Sequence, residues 1–128
     1  MERLLGRFAP QILAVTRILT GVMLACHGAQ KLLPAFGGPM ANRPPLMTLA
    51  GTIELGAGTL IALGLFASYA AFLASGLMAA AYFMVHFGQG FFPLVNHGEL
   101  AVVYCWFFLF VAAHGPGPWS LDGLRKHS

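Results

Sequence analysis

Four apolar stretches, separated by polar or proline- and glycine-rich connections, constrain this chain more than any other feature. They cover residues 9–29, 46–66, 68–88 and 98–114, and a helix needs roughly 20 such residues to cross the hydrocarbon core of a bilayer. The chain is 58% hydrophobic and only 9% charged, so it cannot build the charged outer face that a soluble four-helix bundle needs. We therefore predict an all-α integral membrane protein, with one domain over residues 1–128 formed by a bundle of four transmembrane helices.

The connections hold residues that end helices. The longest connection, residues 32–45, contains four prolines and two glycines, which no continuous helix tolerates. The second and third stretches meet at residues 67–68 with almost no connection, which predicts a tight antiparallel hairpin. A ladder of small side chains in the third stretch predicts close helix contact in lipid, and it consists of Ala71, Ser75 and Ala79.

Basic residues set the expected orientation. The side of the membrane that holds both termini carries Arg3, Arg7, Arg125 and Lys126, whereas the opposite side has Lys31 and Arg43. Because cytoplasmic segments carry the excess of Lys and Arg, we expect both termini in the cytoplasm. The net charge of +3 comes mostly from the chain ends and concerns topology. We therefore expect the lipid bilayer, and no nucleic acid, as a partner.

Ionisable residues inside the apolar stretches are the strongest functional signal. At about 100° per residue, one stripe of the first helix contains two cations, and two further polar side chains lie beside it. The stripe is Arg17, Gly21, Leu24, Gly28 and Lys31, with Thr20 and His27 as the flanking residues. Charged groups are costly in hydrocarbon and usually mark a functional site.

Counting residues along each helix gives these side chains an expected depth. At about 1.5 Å per residue, Arg17 lies roughly 12 Å from the cytoplasmic edge and only about 6 Å deeper than Glu54, which it should face in mid-membrane. The outer half of the membrane should hold His27, Lys31, Glu54, His86 and Glu99, with Asn96 and His97 in the adjoining loop. Two acids and three bases in one layer can neutralise each other.

Several interpretations of this cluster remain open on the residues alone. It can be an architectural network that holds the four helices together, or a proton-transfer site, because mixed acids and bases perturb one another's pKa values. A haem held by His27 and His86, and a metal held by His27, His86, His97 and Glu99, are weaker alternatives that we do not expect. A quinone pocket is a further alternative, lined by Tyr82, Tyr104, Trp106, Phe107 and Phe110.

As a set, these residues resemble the pattern of the DoxX family, small four-helix bacterial membrane proteins. The resemblance covers nearly the whole chain. It rests on Arg17, the His-Gly-x-x-Lys end of the first helix (His27, Gly28, Lys31), the Ile-Glu-Leu-Gly stretch (Glu54, Gly56), His86, the Asn-x-Gly-Glu sequence (Asn96, Gly98, Glu99) and the Gly-Pro-Gly-x-x-Ser-Leu-Asp of residues 115–122. The resemblance implies a multi-pass protein of the bacterial inner (plasma) membrane. It also implies a link to quinone-dependent sulfur oxidation or to defence against oxidative or thiol stress.

Together, the cluster and the resemblance lead to a hypothesis of a redox-associated membrane protein that acts with a quinone or a small thiol or sulfur species. In this hypothesis Glu54 and His86 exchange protons, and Glu99 orients His27 or His86. The anion- or substrate-binding residues would be Arg17, Lys31, Asn96 and Tyr82. The chain would then be a component of a quinone-linked oxidoreductase, with a redox-enzyme partner or a second copy of itself.

Two other functions remain as alternatives. The chain can be a non-catalytic partner or assembly subunit of a redox complex, in which the polar core only builds the bundle. A small proton-coupled transporter is less favoured, because the sequence has no internal repeat of the kind that many transporters show.

Overall fold

A computed structural model of the chain describes residues 1–33, 45–86, 88, 90 and 98–126, with side chains for all of these except residues 85, 86 and 126. The described residues form helices and turns without a strand: α1 (Glu2–Leu5), a 3-10 turn (Gly6–Phe8), α2 (Ala9–Leu32), α3 (Pro45–Leu63), α4 (Ala67–Ala81) with a π-helical turn (Tyr82–His86), α5 (Glu99–His114) and α6 (Leu121–Lys126). The all-α prediction is confirmed for this part of the chain.

Three of the four predicted spans form helices long enough to cross a membrane, and the fourth forms a shorter helix. Three helical segments are long and apolar enough to cross a bilayer, namely Glu2–Leu32, Pro45–Leu63 and Ala67–Met84. Glu99–His114 is a shorter apolar helix. The predicted connection at residues 32–45 falls mostly outside the described residues, and so does most of the aromatic segment at 87–97.

The helices run alternately up and down, and this gives the bundle two ends. At the terminal end, α2 and α4 begin while α3 and α5 end. At the loop end, α2 and α4 end while α3 and α5 begin. Large apolar side chains cover the outer faces of the bundle, among them Leu19, Phe72, Val103 and Trp106, as expected of a surface in contact with lipid.

Helices α2 and α3 pack backbone against backbone because glycines lie at their contact. A Cβ atom added to Gly58 would lie 2.5 Å from the backbone N of Ala25 and 2.6 Å from the carbonyl O of Gly21. One added to Gly28 would lie 2.6 Å from the carbonyl O of Gly51. The glycines are seven residues apart on each helix, so each glycine of α2 meets one of α3 in an antiparallel arrangement.

The α3–α4 hairpin turns at residues 64–66, slightly earlier than predicted. Gly64 has a φ of +70° and Phe66 a φ of +49°, both in the left-handed region that suits glycine and strains other residues. Residues 67 and 68, predicted as the turn, already belong to α4. An apolar sequence gives no sign of this left-handed Phe66, which explains the displaced boundary.

The predicted small-residue ladder lies at the contact between α4 and α5. Ala71 and Ser75 are buried, and the hydroxyl of Ser75 donates to the backbone O of Cys105 on α5 at 2.8 Å. The centre of the bundle is filled by larger buried side chains from all four long helices, including Leu24, Ile61, Met78 and Phe108.

Candidate functional site

A cavity of about 250 Å³ lies toward the loop end, among the four long helices. Its apolar lining comes from Leu24, Met78, Ala81, Leu100 and Ala101, and its polar lining from His27, Lys31, Glu54 and Tyr104. Three of the residues predicted from the sequence, His27, Lys31 and Glu54, therefore share one cavity, and Tyr104 joins them from α5.

Lys31 and Glu54 form an ion pair in this cavity. The Nζ atom of Lys31 donates to both carboxylate oxygens of Glu54, at 2.5 Å and 2.6 Å. The pair links the last turn of α2 to the middle of α3. Glu54 is only 3% exposed, while Lys31 is 32% exposed. Each charge neutralises the other, as a charge buried in hydrocarbon requires.

The hydroxyl of Tyr104 is the unusual polar group of the cavity. Tyr104 is only 3% exposed, and its hydroxyl has no hydrogen-bond partner among the described residues. A buried hydroxyl without a partner costs about 1–3 kcal/mol, and a buried Tyr hydroxyl usually finds one. The Tyr104 side chain lines the cavity, and its hydroxyl, which is itself shielded from solvent, would be satisfied by a hydrogen-bond acceptor that reaches it.

His27 stands at the edge of the cavity. Its ring meets that of Tyr104 edge to face, with 6.4 Å between the ring centres. The side chain is exposed on the outer side of α2 while it also lines the cavity. His27 is therefore reachable from both the cavity and the surface.

Arg17, predicted to face Glu54, lies instead toward the terminal end of the bundle. Its side chain is fully buried and donates to the carbonyl oxygens of Ile61 at 2.9 Å and Ala62 at 3.2 Å. It also donates to the carbonyl oxygens of Pro118 at 3.2 Å and Trp119 at 2.8 Å. Ile61 is seven residues beyond Glu54, or about 10 Å along α3. The structure thus separates Arg17 from the cavity.

The carbonyl oxygens around Arg17 explain its position. The last carbonyl groups of a helix have no partner within the helix, and they carry the negative end of the helix dipole. The guanidinium satisfies two of them at the end of α3 and two more in the segment that follows α5. Depth counting along the sequence missed this because it compared Arg17 only with side chains of opposite charge.

Asp122 makes a second contact at the terminal end that sequence reasoning missed. Its two carboxylate oxygens accept hydrogen bonds from the backbone N–H groups of Phe66 and Ala67, each at 2.9 Å. These groups begin α4, so Asp122 caps this helix from a distant part of the chain. Its own N–H donates to the carbonyl O of Gly64 at 2.9 Å. The Ser-Leu-Asp sequence was noted only as a family feature, although its Asp is a typical helix-capping residue.

Among the described residues, the predicted site residues Glu99 and Tyr82 do not line the cavity. Glu99 is exposed in the first turn of α5, next to Leu100, where an acidic residue favours the helix dipole. Tyr82 packs edge to face on Phe83. The side chain of His86 and the whole of Asn96 and His97 lie outside the described residues. Within the described part, no group of three or more His, Cys, Asp or Glu side chains is arranged to hold a metal ion.

The sequence profile of the DoxX family matches residues 12–87, which include α2, α3 and α4. The chain belongs to the DoxX family. This DoxX protein is 41% identical to a Haemophilus influenzae protein described as uncharacterized, over 125 residues that cover 92% of this chain and 93% of the relative. No solved structure matches the chain. The profile match contains Arg17, Lys31 and Glu54, whereas Tyr104 and Asp122 lie beyond it.

Proposed function

We propose that the cavity binds the headgroup of a quinone, and that this DoxX protein is a component of a quinone-linked redox system of the bacterial inner membrane. The observation that carries the proposal is the buried hydroxyl of Tyr104, which has no partner among the described residues and belongs to a side chain that lines the cavity. A quinone carbonyl oxygen is an acceptor without a charge, and it would complete the hydrogen bonding of this hydroxyl.

The electrostatics of the lining favour a neutral ligand over an anionic one. Lys31 is already neutralised by both oxygens of Glu54, so the described lining has no unpaired cation for a phosphate or a carboxylate. Burying an anion there would cost several kcal/mol of desolvation without a compensating charge. The apolar side chains of Leu24, Met78 and Ala101 suit the faces of a flat ring.

A bound quinone supplies a two-electron acceptor, and its full reduction consumes two electrons and two protons. We assign the electrons to a partner enzyme that oxidises two thiols to a disulfide, which releases two electrons and two protons. In this chain Tyr104 would orient the ring by its hydrogen bond. Lys31 and Glu54 would hold a proton beside it, with His27 and His86 as the groups that exchange protons with the surroundings.

Quinone binding by purified protein tests the proposal directly. The protein is loaded with excess benzoquinone bearing a decyl chain, washed, extracted and analysed by mass spectrometry for quinone per mole of protein. Replacing Tyr104 with Phe removes one hydrogen bond, worth about 0.5–1.5 kcal/mol, so we expect quinone binding to weaken about three- to tenfold. The matched control is Tyr69→Phe, because Tyr69 is 82% exposed and far from the cavity lining.

Two results would overturn the quinone site. One is a wild-type protein that retains no quinone after loading, and the other is a Tyr104→Phe variant that binds as tightly as wild type. The assembly-subunit alternative gains from one observation, because Lys31–Glu54 and the Arg17 contacts both join α2 to α3 and can serve architecture alone. In that case Lys31 and Glu54 variants would change stability and partner assembly without changing the affinity for any quinone.

A further inference from the structure

The four long helices are not held together equally. Glycines join α2 to α3, and small residues with the Ser75 hydrogen bond join α4 to α5, while the short turn at residues 64–66 joins α3 to α4. By contrast, the backbones of α2 and α5 hardly approach each other. We call the line along which α2 and α5 meet, at His27 and Tyr104, the α2–α5 seam. Side chains, and not backbone contacts, therefore close this seam.

This seam forms the wall of the cavity that faces lipid. On α2, the glycines that contact α3 lie on one flank of buried Leu24, and His27 lies on the other flank at about 100° per residue. On α5, the Sγ atom of Cys105 lies 3.5 Å from the Oγ atom of Ser75 on α4, and Leu100 and Val103 lie on the opposite flank, both exposed. The two flanks with His27 and Leu100 thus border the seam, and both residues line the cavity.

The height of the seam suits a molecule whose headgroup resides near the membrane surface. His27 is five residues before the end of α2 at Leu32, or about 7.5 Å along the helix axis. The cavity of about 250 Å³ can hold a ring headgroup, but a long hydrocarbon chain cannot fit beside it. The chain of such a molecule must leave the cavity, and the seam is the part of the cavity wall that side chains alone close.

We propose that the ligand reaches the cavity sideways from the bilayer, between α2 and α5, and that the His27 side chain must swing aside to admit it. This inference rests on the quinone site and adds a substrate class: quinones with a long apolar chain that stays in the lipid. His27 is a positioning and selectivity residue in this scheme. Rotation of one exposed side chain admits the headgroup without parting the glycine contacts of α2 and α3.

The rates of binding separate this route from access through water. Protein in lipid nanodiscs is mixed with a dimethoxy-methyl-benzoquinone lacking a chain, or with the same headgroup on a decyl chain, and association is followed by rapid filtration. Val103→Trp narrows the lipid side of the seam without touching the cavity lining. The matched control is Val22→Trp, because Val22 is also exposed on the bundle surface, does not line the cavity and lies roughly 140° around α2 from His27.

We expect Val103→Trp to slow association of the decyl quinone about tenfold and to leave the affinity for the chain-free quinone unchanged. His27→Ala should speed both association and dissociation of the decyl quinone by a similar factor. Unchanged decyl rates in both variants, with tight binding in wild type, would overturn lateral access while the quinone site stands. If neither quinone binds wild-type protein, the site itself fails. Thermal unfolding of each variant checks that the bundle is intact.

Discussion

Two cations, Arg17 and Lys31, show how single charged residues are accommodated inside this apolar bundle. Lys31 is matched by a carboxylate at short range, whereas Arg17 is matched by four backbone carbonyl groups. The planar guanidinium, with its five donors, suits several acceptors at once, while a lysine acts as a compact charge. An exchange of Arg for Lys at position 17 would therefore not preserve these contacts.

The ion pair predicts an asymmetric response to removal of its partners. Lys31→Met leaves Glu54, which is almost fully buried, without a counter-charge and should lower the free energy of unfolding by about 3 kcal/mol. Glu54→Gln leaves Lys31, which is partly exposed and can extend toward the interface, and should cost only about 1 kcal/mol. Thermal and denaturant unfolding in detergent measure both values.

The double variant is the control for this pair. Lys31→Met with Glu54→Gln should be more stable than Lys31→Met alone, because no uncompensated charge remains. Losses that simply add in the double variant would contradict a direct coupling between the two side chains.

At the level of elements, the α2–α3 pair depends on backbone contact. Glycines spaced by seven residues on each helix repeat the same contact at two heights, and a seven-residue repeat keeps one face of a helix turned toward its partner. In lipid, where apolar burial does not drive helices together, this close contact supplies van der Waals attraction. The α2–α3 pair thus forms the rigid wall on which Lys31 and Glu54 meet.

Alanine substitutions at two glycines test this contact. Gly58→Ala places a Cβ against the backbone of α2, 2.5 Å from the N of Ala25, so the helices must separate and we expect a loss of about 3 kcal/mol in unfolding free energy. Gly76→Ala has no atom within 4 Å of its new Cβ and should leave stability unchanged or raise it by about 0.5 kcal/mol. Equal stabilities of the two variants would refute the close packing of α2 on α3.

For the whole molecule, the last ten described residues fasten the terminal end. Residues 118 and 119 accept hydrogen bonds from Arg17, and Asp122 caps α4. Ser120 is buried between them, and its hydroxyl donates to the carbonyl O of Gly117 at 3.0 Å. One segment therefore contacts the ends of helices that are distant in sequence.

Loss of the Asp122 carboxylate should loosen this segment. Asp122→Ala removes two hydrogen bonds from the start of α4, which we expect to cost about 1 kcal/mol and to raise the rate of tryptic cleavage at Arg125 about fivefold. Asp122→Asn keeps one acceptor oxygen and should lie between this variant and wild type. Cleavage at Arg3 and Arg7 serves as the internal control and should not change.

The alternation of the helices predicts that both chain ends lie on one side of the membrane, and the basic residues predict that this side is the cytoplasm. Helix α5 has 16 residues, or about 24 Å, which is shorter than the roughly 30 Å hydrocarbon core; local thinning of the bilayer would let it cross. Fluorescent-protein and phosphatase fusions, placed at each terminus, report the side directly. Fluorescence at both ends is the expected result, and an active phosphatase at the C-terminus would mean that α5 does not cross.

The apolar stretches were sufficient to predict four helices and most of their bounds, because helices of this length are dictated by bilayer thickness. The depth expected from counting residues along each helix also placed His27, Lys31 and Glu54 in one layer, and the structure has all three in the lining of one cavity. The position of Arg17 and the cap by Asp122 could not be predicted in this way, since both depend on backbone groups at helix ends, which have no signature of charge in the sequence. Tyr104 was present among several aromatic candidates, but only its burial without a partner distinguishes it.

The contacts of the C-terminal segment have a consequence for the order in which the protein is made. Arg17 is synthesised before two of its four acceptors, which follow it by 101 and 102 residues, and before the Asp122 cap of α4. Until then, the Arg17 guanidinium lacks two of its hydrogen-bond acceptors, and the backbone N–H groups that begin α4 lack the Asp122 carboxylate that accepts from them. A chain that stops before residue 118 would keep these defects permanently, so the stability of the first helix depends on residues made about a hundred positions later.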